Sequence, residues 1–552
     1  MKKVVVITLA ALMLISCGKN KNEEAAQAFV DTLTTVITPL YNGSAQAYWD
    51  ATATGKTEDY DQYAKLNMDI TKVFSDKTNF EKIKKFREEG VKDTLLSRQL
   101  DIFYNEYVTN QADTALLNQI TRMAASVEGR FNTFRGKIDG KEVTGNDIKQ
   151  ILVSSTNMNQ RKKAWDASKQ VALEVESDML KLIRLRNEAA RQMGYKNFYE
   201  MSLLSDEQQP AEITRIFDEL EVVTREPYQQ AKSEIDAILA KRLKIKPENI
   251  MPWDYADPFF QEVPQLSEVN LDRYYEKQDV IKLAAKFYQE IGLPVDDILA
   301  KSDLYERPNK YPHAYCTDID RLGDVRIMVN VRNNTDWMGT VLHELGHAVY
   351  SYNVDRNLPY LLRSEAHTFT TEAVAMFFEK LSRNPEWIQQ MTGISDEEKA
   401  KITDLTAKTL SYESLIFARW SLVMYYFEKN MYENPEQDLN TLWWDLVEKY
   451  QMVKRPENRN MPDWASKIHV CSYPVYYHNY QLGGLLAAQF LNTIAKSQNV
   501  ASVKDIKFAN NPAIGDFFKT KVFFPGRKYP WEKMVIGATG EKLTAKYFVE
   551  QL

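Results

Sequence analysis

A chain of 552 residues, 44% hydrophobic and 26% charged, has the composition of an ordinary globular protein, which excludes wholesale disorder. Its formal net charge of -6 is mild for this length and excludes the basic footprint of a nucleic-acid binder. Its three cysteines, Cys17, Cys316 and Cys471, cannot build a disulfide framework.

The first element in chain order is a targeting segment. Met1-Lys2-Lys3 precedes an apolar run over 4–15, too short for a comfortable membrane span. Leu14-Ile15-Ser16-Cys17 resembles a bacterial lipobox, in which the cysteine is acylated and becomes the mature N-terminus. The expectation is a signal peptide over 1–16, a lipid-anchored polar tether over 17–24 with Cys17 as the lipidation site, and an extracytoplasmic lipoprotein facing the periplasm or the cell surface. Contact with the membrane is then through the anchor only. The remainder, 25–552, shows no second long apolar run and no composition shift, and reads as a single domain.

Helical periodicity dominates that remainder. Phe29, Leu33, Val36 and Leu40 recur at three- and four-residue steps, Leu182, Ile183 and Leu185 sit in a second such stretch, and 401–432 is long and amphipathic. The β-branched run 325–331 is the best strand candidate. Clustered Pro, Asn and Asp mark 247–264 and 455–462 as loops.

Just after the strand candidate comes His343-Glu344-Leu345-Gly346-His347, the H-E-x-x-H pattern. Residues four apart share one face of a helix, so both imidazoles can reach one tetrahedral metal. Glu344 can stand beside a zinc-bound water and take its proton as the water attacks a peptide carbonyl. Val341, Leu342, Leu345 and Ala348 supply the apolar face that buries this helix. A third protein ligand is needed. Glu372, on a second apolar helical stretch ending before Asn384-Pro385, is the candidate; Glu365 and His367 are its rivals. Glu379, two turns beyond Glu372, is either a partner for a metal-ligating side chain or a surface carboxylate.

With Thr371-Glu372-Ala373 behind it, the motif resembles a gluzincin metallopeptidase. His313-Ala314 thirty residues upstream, and Lys467-Ile468-His469 followed by several Tyr downstream, resemble the angiotensin-converting-enzyme-like peptidyl-dipeptidase family, with the thimet-oligopeptidase-like family as near relative. The resemblance implies a mostly α fold of two helical lobes around a deep cleft, with a small β element before the zinc-binding helix. It implies one Zn2+ held by His343, His347 and Glu372, with Glu344 as general base. It implies that His313 and Ala314 hold the substrate main chain, that Lys467 and Tyr477 bind the free C-terminal carboxylate, and that His469 and Tyr480 stabilise the oxyanion. Tyr477 and Tyr480 need a one-residue shift against the family spacing; Tyr473 and Tyr476 are the alternative pair. Asn479 stands where the family often has an Arg tied to chloride. Met376 stands where it has a carboxylate. Gln261 is a guess for a family Gln at the C-terminal site.

The resulting expectation is a monomeric zinc peptidase that releases C-terminal dipeptides from short peptides and binds no nucleic acid. The alternatives are a thimet-type oligoendopeptidase and, in another class, a catalytically inactive peptide-binding lipoprotein.

Overall fold

The computed structural model describes residues 21–264 and 270–552. The expected leader 1–16 and Cys17 lie outside those residues. Helix accounts for 69% of the structure, as the three- and four-residue apolar steps require. The first helix, Lys21–Thr54, buries Ala26, Val30, Leu33 and Ile37 along one stripe and packs on the next, Thr57–Phe74. It already covers Lys21 to Glu24, inside the stretch expected to be a tether.

The expected 401–432 helix lies within Asp396–Glu433, and the Leu182–Leu185 stretch within Val171–Gln192. One continuous apolar core takes residues from Ile102 to Phe548. A smaller one joins the N-terminal helices through Val30, Phe74, Leu100 and Tyr107 to Leu361.

The strand candidate is half of an antiparallel hairpin. Val325–Met328 pairs with Tyr315–Asp318 in the register Cys316 to Ile327. The partner strand was not expected, because Tyr315–Asp318 is half-buried throughout and lacks the apolar alternation of a one-sided strand. Gly323, at φ 109, supplies the positive φ that the connecting turn requires.

Three helices converge beyond this hairpin. The motif helix is Thr335–Tyr352, capped by the Asn334 side chain, which accepts from the Trp337 N–H at 2.9 Å. The second is Thr368–Glu379, whose N-terminus is capped by the His367 ring accepting from the Phe369 N–H at 3.2 Å. The third, His478–Ser497, carries Tyr480. Two glycines set how closely they approach. A Cβ on Gly346, inside the motif, would lie 2.8 Å from the Ala375 Cα, so the first two helices touch backbone to backbone. A Cβ on Gly483 would lie 3.1 Å from the Cβ of Glu372. The second helix is therefore held tightly between the other two, with Glu372 on it.

Candidate active site

The approach of the motif helix to the Glu372 helix gathers three donors. His343 Nε2 and His347 Nε2 are 3.1 Å apart, and Glu372 Oε2 lies 3.7 Å from the first and 4.0 Å from the second. All three ligand atoms fall within 4.8 Å of one another, and this is the one such His/Cys/Asp/Glu cluster among the described residues. The rivals are elsewhere engaged or absent from the cluster: the His367 ring caps its helix and bonds the Asp206 carbonyl at 2.9 Å.

The donor set fits zinc. Two imidazole nitrogens and one carboxylate oxygen are the ligands of a catalytic site that leaves a fourth position open. The opposite ring nitrogens are occupied in a way that aims Nε2 at the cluster. His343 Nδ1 lies 2.8 Å from Glu379 Oε2, and His347 Nδ1 lies 2.7 Å from Thr371 Oγ1. With the proton on Nδ1, each imidazole donates there and directs Nε2 to the cluster; against burial, the hydrogen bond and charge of Glu379 raise the His343 pKa to about 9, so a metal must displace a proton from its Nε2. Burial and the neighbouring His343 lower the His347 pKa to about 3, so its ring is neutral, the form that ligates a metal.

Glu344 is 7% exposed on the same helix. Burial, with Glu372 and Glu379 adding their charge against the pull of His343, raises its carboxyl to about 7, where a general base is poised near neutral pH. The strand Tyr315–Asp318 passes nearby: Cys316 feels the Glu344 charge. Ala314 immediately precedes that strand. His313 is exposed, its ring 5.1 Å from that of Tyr311. Cys316 and Cys471 are both free thiols.

A second cluster forms around Lys467. Its Nζ donates to Gln261 Oε1 at 2.8 Å and stands 5.3 Å from the ring centroids of Phe259, Trp420 and Tyr477. It is 7% exposed and forms no ion pair among the described residues. Burial lowers its pKa to about 8, against the opposing charges of Asp257 and Glu262. Gln261 is placed by Asp257, whose buried carboxylate accepts from the N–H groups of Phe259, Gln261 and Glu262 and so ties the loop into a tight turn. Trp420 donates its indole N–H to the Tyr477 hydroxyl at 2.8 Å.

His469 and the tyrosines bridge the two clusters. The His469 ring centroid is 5.1 Å from that of Tyr477, and Tyr477 is 5.5 Å from Tyr480. Burial, then Lys467, lowers the His469 pKa to about 4, so the ring is neutral, and its Nδ1 is buried with no protein partner. Burial, then the charge of Glu372, raises the Tyr480 pKa, and the same two causes raise that of Tyr476. In the alternative pair, Tyr473 is exposed on the surface, while Tyr476 stacks edge-on against Tyr480 at 5.4 Å. Asn479 is buried and accepts from Gln208 at 2.7 Å, and His478 is bonded to the same Gln208 at 2.6 Å.

Thr371, Trp420, Asp257 and the two spacing glycines were not singled out from the sequence. Thr371 carried a readable signal, since it precedes the third ligand on the same helix; Trp420 and the two glycines act across helices and left none, and the Asp257 turn is local but carries no mark of its role.

Comparison with known proteins agrees with this geometry. The family model for peptidase family M3 matches residues 151–552, and that for angiotensin-converting enzyme matches residues 20–230. The chain is 22% identical over 514 residues to the angiotensin-converting enzyme of Theromyzon tessulatum, covering 86% of this chain and 82% of that protein. It is 22% identical over 305 residues to Carboxypeptidase 1 of Bacillus subtilis (strain 168), covering 51% and 58%. The match to the angiotensin-converting enzyme of Sus scrofa, also at 22%, spans 42% of this chain and only 18% of that longer protein.

Proposed function

Since the chain belongs to peptidase family M3, a family of zinc peptidases, we propose that it releases dipeptides from the free C-terminus of short peptides, using one zinc ion per chain. The observation that carries this reading is Lys467. A buried ammonium with a neutral amide as its hydrogen-bond partner, ringed by Phe259, Trp420 and Tyr477, is a receptor that a carboxylate completes.

His343, His347 and Glu372 would hold the zinc, which when bound supplies Lewis acidity toward water and the scissile carbonyl. The remaining roles fall to the chain itself. Glu344 takes a proton from the attacking water on its carboxylate and returns it to the leaving amine nitrogen. Tyr480 and the neutral His469 donate hydrogen bonds to the oxygen on which negative charge develops. Ala314 and His313 align the substrate main chain at the edge of the strand. Lys467, Gln261 and Tyr477 fix the terminal carboxylate, which sets the distance from the chain end to the cut. The names of the relatives, a carboxypeptidase among them, support action near a C-terminus. Anchoring through an acylated Cys17 is part of the same proposal and rests on the lipobox-like residues 14–17.

Product mapping by mass spectrometry tests the reading with an N-blocked hexapeptide, as the free acid and as the amide. Loss of a dipeptide from the acid alone is the expected result. Equal internal cleavage of both would make the protein an oligoendopeptidase. A zinc-loaded protein that binds both peptides and cuts neither would be a binding protein.

A further inference from the structure

The helix His478–Ser497 contains two adjacent glycines with different reasons for being there. Gly483 is required by packing, because a Cβ would meet Glu372 at 3.1 Å. Gly484 is not. A Cβ there would meet only the Met376 Cε, at 3.6 Å, an ordinary contact with the end of a flexible side chain. Its backbone is helical, with none of the positive φ that favours glycine. Glycine in a helix interior is destabilising relative to alanine, so neither the backbone nor the protein packing accounts for this one.

Gly484 instead faces open space. It lines a cavity of about 380 Å³ together with Met376, Glu379, Gln261, Phe417 and Gln481. Two of these wall residues locate the cavity. Glu379 bonds His343 of the metal triad, and Gln261 bonds Lys467. The cavity therefore borders the metal triad through Glu379, on the Nδ1 side of His343, and borders the carboxylate receptor through Gln261. Gln481, on the same helix and 1% exposed, has an Nε2 with no partner among the protein atoms. A buried amide donor without an acceptor is costly unless something else supplies one.

We propose that Gly484 is a specificity-determining residue: it keeps open the pocket that receives the side chain of the substrate's C-terminal residue, so that the enzyme accepts side chains as large as those of tryptophan and tyrosine there. The inference rests on the function proposed above and adds the class of peptide that the site selects. The pocket belongs to the C-terminal residue because Gln261, which bonds the carboxylate-binding Lys467, forms part of its wall. Met376 and Phe417 give the large side chain apolar contact.

The experiment compares kcat/KM for two N-blocked peptides that differ only in ending in Ala or in Trp, using the zinc-loaded full chain, wild type and Gly484→Leu. The leucine reaches into the cavity and leaves the metal and Lys467 clusters untouched. The expected result is a fall of at least tenfold in the Trp to Ala ratio, with the Ala peptide within about twofold of wild type, as the exclusion of several carbon atoms from a pocket implies. Leu410→Trp, which fills the same cavity from another lining residue, should give the same loss and guards against a folding failure of the first variant. An unchanged ratio in either folded variant would overturn the inference. A wild type that releases no dipeptide from the Ala peptide, which needs no pocket, would instead overturn the underlying reading of function.

Discussion

Glu379 Oε2 lies 2.8 Å from His343 Nδ1, so the first histidine of the motif is braced by a carboxylate two turns beyond Glu372 on the neighbouring helix. The angiotensin-converting-enzyme pattern puts a carboxylate one turn beyond the third ligand, where this chain has Met376. The bracing charge has moved along the helix by three residues, which keeps it on nearly the same face. Crowded surroundings work against ionisation of Glu379, half-exposed as it is, but the hydrogen bond and charge of His343 win and its pKa is lowered. An ionised acceptor at Nδ1 fixes the tautomer and makes Nε2 a stronger ligand. Glu379→Ala is expected to weaken zinc binding by about 10- to 100-fold, read by competition with a chelator. Affinity equal to wild type would reduce Glu379 to a surface carboxylate.

The proton and the metal separate in two further variants. Glu344→Gln keeps the shape and removes the base, so zinc content should be normal while kcat falls by about 10²- to 10⁴-fold or more. His347→Ala removes a ligand, so zinc content itself should fall. Metal analysis beside steady-state kinetics distinguishes the two, and an active Glu344→Gln enzyme would sink the proposed mechanism.

The metal motif was legible because its information is local: His343, Glu344 and His347 lie within two turns of one helix, and the periodicity around them shows which face is buried. The mostly helical class was legible for the same reason. The strand Tyr315–Asp318 was not, since its half-buried residues show no alternation. The Lys467 receptor was legible only through family resemblance. Its Gln261 comes from 206 positions earlier, its Phe259 from the same turn, and its Trp420 from the helix Asp396–Glu433. No spacing rule connects such residues. Upstream of the tyrosines Val475, a β-branched residue, adopts φ 54, and Glu428 accepts its N–H at 2.9 Å. The chain turns sharply there between His469 and Tyr477, which no propensity would forecast.

Helix contact at Gly346 makes a stability prediction that needs no substrate. An alanine Cβ at that position would lie 2.8 Å from the Ala375 Cα, and backbone cannot rotate away as a side chain does. Gly346→Ala should cost about 1–3 kcal/mol and lower the thermal midpoint, and it should weaken zinc binding because Glu372 rides on the displaced helix. Gly484→Ala, with only Met376 Cε nearby at 3.6 Å, should be neutral or stabilising. Thermal unfolding of the two variants side by side checks the contrast. Equal midpoints would mean that the two helices are not in backbone contact.

The charge on Lys467 predicts a pH dependence that can be isolated from every other titration in the site. Burial lowers its pKa to about 8, with Asp257 and Glu262 opposing, so the free enzyme carries the ammonium below that pH and loses it above. Only the ammonium attracts a carboxylate. The ratio of kcat/KM for a free-acid peptide to that for its amide reports the free enzyme, and effects common to both substrates, such as titration of Glu344, cancel in it. The ratio should be high and flat below about pH 7. It should then fall towards tenfold per pH unit above about 8, until the two peptides are cut alike. The direction follows from the cation: raising pH removes the charge that selects the acid, whereas a carboxylate reader would strengthen with pH. Lys467→Met should give a low ratio with no slope over the same range. A wild-type ratio that stays constant from pH 7 to pH 10 would show that Lys467 does not read the chain end.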